Sequence, residues 1–156
     1  MNDEELIFEQ YLIIKESSEL FGPVYHRTIS DINKLSDYDI YKSQKGTVLG
    51  PAIYATYGES TWTPSHLKGG KILKGYVKGE IIDLTKPLQQ RDKTKIEGVL
   101  GRTIDTIPLI TLERRFGSIA NGLKEIGYAG AIHQGPGSSG KHIAIFSTND
   151  IIDIED

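Results

Sequence analysis

Hydrophobic and polar positions recur with two different periods along this chain, and each change of period marks an element. Near the start, Ile7, Tyr11, Ile14 and Phe21 recur at i, i+4, i+7 and i+14, and Asp3, Glu4 and Glu5 stand where a helix dipole favours anions. That spacing predicts a helix over 3–21, stopped by Gly22-Pro23 and packed on the domain. Val24 to Thr28 then reads as a short strand and Ser30 to Leu35 as a short Ser-capped helix. Residues 36–50 read as a polar loop leading into a second strand that ends at Tyr57. Residues 58–64 fit a short helix or an irregular segment, with Trp62 read as packing.

Further along, Lys71 to Val77 and Glu80 to Leu84 predict a strand pair joined at Lys78-Gly79. Over 90–108, Ile96, Val99, Leu100 and Ile104 suggest a helix, against which Gly98 and Gly101 count. Leu112, Phe116, Ile119, Leu123 and Ile126 follow at spacings of 4, 3, 4 and 3 and predict one helix closed by Gly127. Tyr128 to Ile132 and His142 to Phe146 read as strands around a turn over 134–140. No helix opens after Gly135 to Gly140, so that run reads as a plain turn and not a phosphate cradle. Residues 149–154 add an edge strand or a short helix. Strands in runs with helices between them predict an α+β fold, one domain over 1–156.

Composition narrows the function more than the fold. A chain of 156 residues, 38% hydrophobic and 25% charged, can bury a core without cross-links. The net charge of −3, with both signs mixed along the chain, leaves no footprint for nucleic acid or an anionic membrane. The absence of cysteine excludes thiolate metal sites, a cysteine nucleophile and disulfides. No apolar run approaches the roughly 18 residues of a membrane span, and Met1 to Glu5 is acidic where a signal peptide is basic. The expectation is a cytoplasmic protein, in the producing or a target cell, with no membrane partner and no metal site. His66 and His133 have no partners at ligand spacing and read as surface residues.

The residues able to do chemistry gather on the two early strands. Tyr25-His26-Arg27-Thr28 and Gly50-Pro51-Ala52-Ile53-Tyr54-Ala55-Thr56-Tyr57 supply a histidine, tyrosines, threonines and a Gly-rich approach. That set suits a planar nucleotide better than a metal or a phosphate alone. Followed in order by Gly127-Tyr128-Ala129-Gly130-Ala131-Ile132 and by His142-Ile143-Ala144-Ile145-Phe146 with Ile151 beyond, these runs resemble the ADP-ribosyltransferase superfamily. The likeness is to its His-Tyr branch, shared by diphtheria-type toxins, poly(ADP-ribose) polymerases and many phage and bacterial mono-transferases, and it spans about residues 24 to 152.

The resemblance implies a split β-sheet with flanking helices and NAD bound in the cleft as a substrate. Its nicotinamide–ribose bond would break through an oxocarbenium-like centre, and ADP-ribose would pass to a macromolecular acceptor, expected to be a protein. A toxin or effector role, with a cognate antitoxin as a further partner, belongs to the same expectation. His26 would bond the adenosine ribose, and the backbone beside it the nicotinamide amide. Tyr54 and Tyr57 would face the nicotinamide ring, Thr56 would support the strand, and Tyr25, Arg27 and Thr28 would complete the cofactor-binding run.

Two positions depart from the family pattern. Arg27 stands where the family has Gly, and Lys141 or His142 stands where it has Glu. The catalytic set is therefore His26 and Tyr54 with His142, or with Glu59, in the carboxylate's place. Loss of the carboxylate disfavours chain elongation and leaves mono-transfer, NAD hydrolysis or no catalysis. One alternative is an NAD-degrading toxin of the RES type, using Arg27, Glu59 and Ser139, although its Gly-Gly-Arg-Trp run is missing here. The other is an inactive relative that binds a partner protein.

Overall fold

Runs rich in Ile, Val, Tyr and Thr, each bounded by glycine or polar turns, form seven strands. They are β1 (Leu20–Thr28), β2 (Ile53–Tyr57), β3 (Lys71–Lys78), β4 (Ile81–Asp83), β5 (Gly130–Gln134), β6 (Lys141–Ile145) and β7 (Ile151–Asp153). Among the described residues, three helices lie between β4 and β5: α1 (Gln90–Leu100), α2 (Pro108–Phe116) and α3 (Ile119–Ile126). The computed structural model describes residues 20–29, 31–41, 49–58, 70–101, 108–135 and 140–154. The strands form one sheet in the order β4-β5-β6-β2-β1-β3-β7, antiparallel except for the β4/β5 pair. The fold is thus α+β.

The connection from β3 to β4 shows how this sheet is shaped. Lys78 and Ile81 are consecutive strand ends separated by Gly79 and Glu80, a span of at most about 11 Å. In the sheet order the two strands are five spacings apart, about 24 Å if the sheet were flat. The sheet therefore curls until its halves face each other. Its concave side encloses one core, in which Val24, Leu73 and Val77 from one half meet Ile53, Ile143 and Ile145 from the other. Its convex side carries the second core, where Ala131, Ala144 and Phe146 pack under Ile96, Leu112 and Leu123 of the helices.

Several expectations are corrected. Leu20 and Phe21 belong to β1 and not to a helix, and Gly22-Pro23 is a cis peptide inside that strand, where the β1/β3 register shifts. The helix expected over 3–21 otherwise lies outside the described residues. Between Ser30 and Leu35 the only helical turn among the described residues is the end residue itself, which opens a 3₁₀ turn over Leu35–Asp37. The strands at 71–78 and 81–83 do not form a hairpin, because β3 pairs with β1 and β7 while β4 pairs with β5. The helix expected over 112–126 is two helices. Gly117 turns left-handed at φ 86°, and Ser118 caps the next helix by accepting from the Asn121 N–H at 3.0 Å. Both helices turn their apolar positions to the same core, so the period runs on through the break.

Gly101 likewise closes α1 as a left-handed cap at φ 72°, so this glycine is a stop and not a defect. At 149–154 both expected alternatives occur in turn, a 3₁₀ turn over Thr148–Asp150 and then the edge strand β7. No helix among the described residues is long and apolar enough to cross a membrane.

Candidate functional site

The centre of the sheet is where its ladder stops. β1 and β2 pair at Val24↔Tyr57 and Tyr25↔Thr56 and no further, although β1 continues to pair with β3 as far as Thr28. His26 is the first residue past that end. Its Nδ1 lies 2.9 Å from the Tyr54 carbonyl, so the ring bridges the two strands where their backbones part. A carbonyl can only accept, so Nδ1 carries the hydrogen and Nε2 is the ring's acceptor nitrogen. Burial pushes the His26 pKa below its ordinary value, against the opposing effect of the Tyr54 carbonyl, which keeps the ring neutral near pH 7. Tyr38 meets the ring edge-on at 4.9 Å.

Tyr54 is positioned from the helical side. Its hydroxyl donates to the Gly50 carbonyl at 2.7 Å and accepts from the Leu49 N–H at 3.1 Å. The same turn receives α3, whose Ala120 N–H donates to the Leu49 carbonyl at 2.9 Å. Gly50 permits the approach. Its φ is 116°, and a Cβ there would lie 2.5 Å from Ser118 Cβ.

Strand alternation sorts the predicted residues onto two faces. His26 and Thr28 share the concave side with Val24, and Tyr57 joins them, packed at 4.9 Å against Phe21. Burial, with the charge of Asp83, raises the Tyr57 pKa. Tyr54 and His142 face the convex side, as do Thr56 and its cross-strand neighbour Tyr25. Tyr54 and Tyr57 therefore do not clasp one ring between them. Thr56 Oγ1 donates to the Tyr25 carbonyl at 3.4 Å, at the last rung before the strands separate. Thr28 is buried. Arg27 points away from the His26 side, and its guanidinium donates to the Gly70 carbonyl at 3.1 Å, so it holds backbone and does not narrow the His26 face. Glu59, Ser139 and His66 lie outside the described residues.

His133 is not a surface residue. It is 6% exposed, and its cross-strand partner in the β5/β6 ladder is His142, 4% exposed, with ring centroids 6.0 Å apart. The Tyr54 ring, from β2 beyond β6, also meets it edge-on at 5.5 Å. Its Nδ1 faces the Gln134 carbonyl at 3.2 Å, which makes Nε2 the acceptor. That Nε2 is buried and has no hydrogen-bond partner among the described residues, a state that costs about 1–3 kcal/mol. Burial lowers the pKa of both histidines. The chain shows only that two histidines flank the turn; the register that sets His133 opposite His142, with Gln134 opposite Lys141, comes from the pairing of β5 with β6.

A second polar cluster closes the far side of the convex core. Buried Asp92 accepts from the Tyr128 hydroxyl at 2.5 Å, Lys95 and Arg91 pair with Glu80, and Lys95 lies 5.3 Å from the Tyr128 ring centre. These partners satisfy one another and tie α1 to β4 and to the start of β5. No three His, Asp or Glu side chains among the described residues are grouped to hold a metal ion. What the geometry offers is a neutral imidazole at a gap between strands and, on the reverse face, an aromatic ring against a buried pair of histidines. No protein-family model matches the chain, and no curated protein or solved structure matches it significantly.

Proposed function

We propose that the protein binds NAD at the parting of β1 and β2 and transfers a single ADP-ribose to a macromolecular acceptor, a protein, as a toxin or effector enzyme. One observation carries this reading. The strands bearing the runs that carry the resemblance, β5, β6, β2 and β1, are consecutive in the sheet, and the ladder between β1 and β2 ends one residue before His26. A sheet interrupted there is what the resemblance to His-Tyr ADP-ribosyltransferases calls for.

The chemistry follows from the side chains. A neutral His26 offers an acceptor nitrogen, which suits a ribose hydroxyl. Tyr54 contributes its backbone carbonyl, which fixes the His26 tautomer, while its ring faces the opposite side of the sheet and packs against the convex core. When the glycosidic bond breaks, its electron pair leaves with nicotinamide, the acceptor attacks the anomeric carbon, and the acceptor's proton departs to a base or to solvent. Holding these groups in line supplies most of the acceleration.

The test is nicotinamide release from NAD, with the protein alone and in cell lysate containing labelled NAD. Release with label on protein is the expected result, and His26→Ala should lower the rate at least about tenfold, the value of one lost hydrogen bond to a bound substrate. Full activity in His26→Ala would rule out this site. A second reading, an inactive relative that holds a partner protein, is favoured by the occupied Tyr54 hydroxyl and by the burial of His142. NAD binding without turnover in either assay would select it.

A further inference from the structure

The helices cover only one half of the sheet's convex side. Among the described residues, the core beneath them draws no side chain from β1, β3 or β7. Those strands turn Leu73, Val77 and Ile151 to the concave core. Alternation then puts Ile72, Lys74 and Lys78 of β3 and Ile152 of β7 on the outer side, and register sets Leu20 opposite Lys78 and Arg27 opposite Ile72. Leu20, Ile72 and Ile152 are 41%, 47% and 45% exposed. No Asp or Glu takes an outer position on these three strands. An exposed aliphatic patch with charges of one sign marks a docking surface.

The chain itself holds a complementary segment. Residues 1–19, which lie outside the described residues, carry six of the 21 acidic residues and one of the 18 basic ones, leaving 15 acidic against 17 basic in the rest. The same stretch contains the stripe of Ile7, Tyr11 and Ile14. It joins the described fold at Leu20, on the outer face itself. As a helix, residues 3–16 would span about 21 Å, and the outer row of β3 from Ile72 to Lys78 spans about 20 Å. Ser17-Ser18-Glu19 is left for the reversal into β1.

We propose that the outer face of β1, β3 and β7 is the docking surface for the chain's own residues 3–16, laid antiparallel to β1. Ile7, Tyr11 and Ile14 then cover Ile72 and Ile152, Asp3 to Glu5 come to the Arg27 end, and Glu16 comes to the Lys78 end. The tether makes the docking intramolecular, so modest contacts suffice to hold it. A partner protein using this face has to displace the segment first. None of this depends on NAD binding.

The chain has no cysteine, so introduced thiols report cleanly. In the full chain, Ile152→Cys should react with a maleimide at least about tenfold more slowly than Ile110→Cys, whose parent residue on α2 is 39% exposed. A short bismaleimide should join Ile7→Cys to Ile72→Cys within one chain and should not join Ile7→Cys to Ile110→Cys. Equal labelling of the two single thiols overturns the proposal and leaves the face open to another protein. Protection that fades on dilution assigns the face to a second copy and also overturns it. If Ile152→Cys does not fold, the cross-link decides alone: a link from residue 7 to residue 72 supports the docking, and its absence refutes it.

Discussion

The two faces of the curled sheet bury comparable apolar side chains but treat polar ones differently. The concave core is aliphatic, with Val24, Ile53, Leu73, Val77, Ile143 and Ile145 drawn from both halves, and His26 at the parting of the strands is tied to a carbonyl. The convex core is equally dry, yet it encloses Asp92, Tyr128, His133 and His142, and one of those imidazoles holds an acceptor with no partner among the described residues. A core selected for stability alone replaces such groups with hydrocarbon of the same shape. The concave face therefore explains why the halves stay together, and the convex face raises the question of what the histidines are for.

The largest effect should come from truncating each core in turn. Phe146→Ala on the convex side should cost about 3–5 kcal/mol and Ile145→Ala on the concave side about 2–5 kcal/mol in urea unfolding. Equal importance of the two cores is the point of this comparison. If Ile145→Ala were nearly silent, the halves would not close on each other as the β3–β4 connection requires.

Protonation separates the faces next. His26, His133 and His142 all have pKa values lowered from 6.5, chiefly by burial. Below pH 6.5 the unfolded chain takes up protons that the folded chain refuses, so stability is full above that value. It is lost as pH falls through the window down to the folded pKa values. The slope reaches at most about 1.4 kcal/mol per pH unit for each histidine. Asp83 does not share this window. Burial works against its charge, but its bonds from Thr85 and the nearby Lys141 and Lys86 hold it below 3.8, so its contribution persists until more acidic pH. Unfolding measured from pH 8 to 5 should show the fall, and His133→Phe should flatten part of it. A flat profile in the wild type would mean that the buried histidines are hydrated.

The smallest effect is the most local. Tyr54→Phe removes a hydroxyl that holds the Leu49–Gly50 turn and should cost about 1–2 kcal/mol. Tyr57→Phe, three residues along on the opposite face, should change stability by less than about 0.5 kcal/mol, since its ring contact with Phe21 remains. Equal costs in thermal melts would show that the turn does not depend on the Tyr54 hydroxyl.

Much of this was legible in the chain because it is local. Strands at β1, β2, β3, β5 and β6 follow from β-branched runs and their bounding glycines. The expectations that failed concern facing and pairing. His142 to Phe146 is buried at every position, so no alternation shows which face each residue takes. His133 lacked a sequence neighbour, and its partner came through strand register. The break at Gly117 was hidden because the hydrophobic period on either side serves one core.

Composition, periodicity and turn chemistry by themselves determined an α+β chain and the position of most of its elements. These are properties of a residue and its near neighbours. Only the tertiary structure decided that β4 leaves β3 to pair with β5 and that the sheet curls around one core while the helices cover another. It alone brought His133 against His142 and Tyr54. Each of these depends on which distant strands share hydrogen bonds, and a one-residue shift in any such pairing would reverse every face.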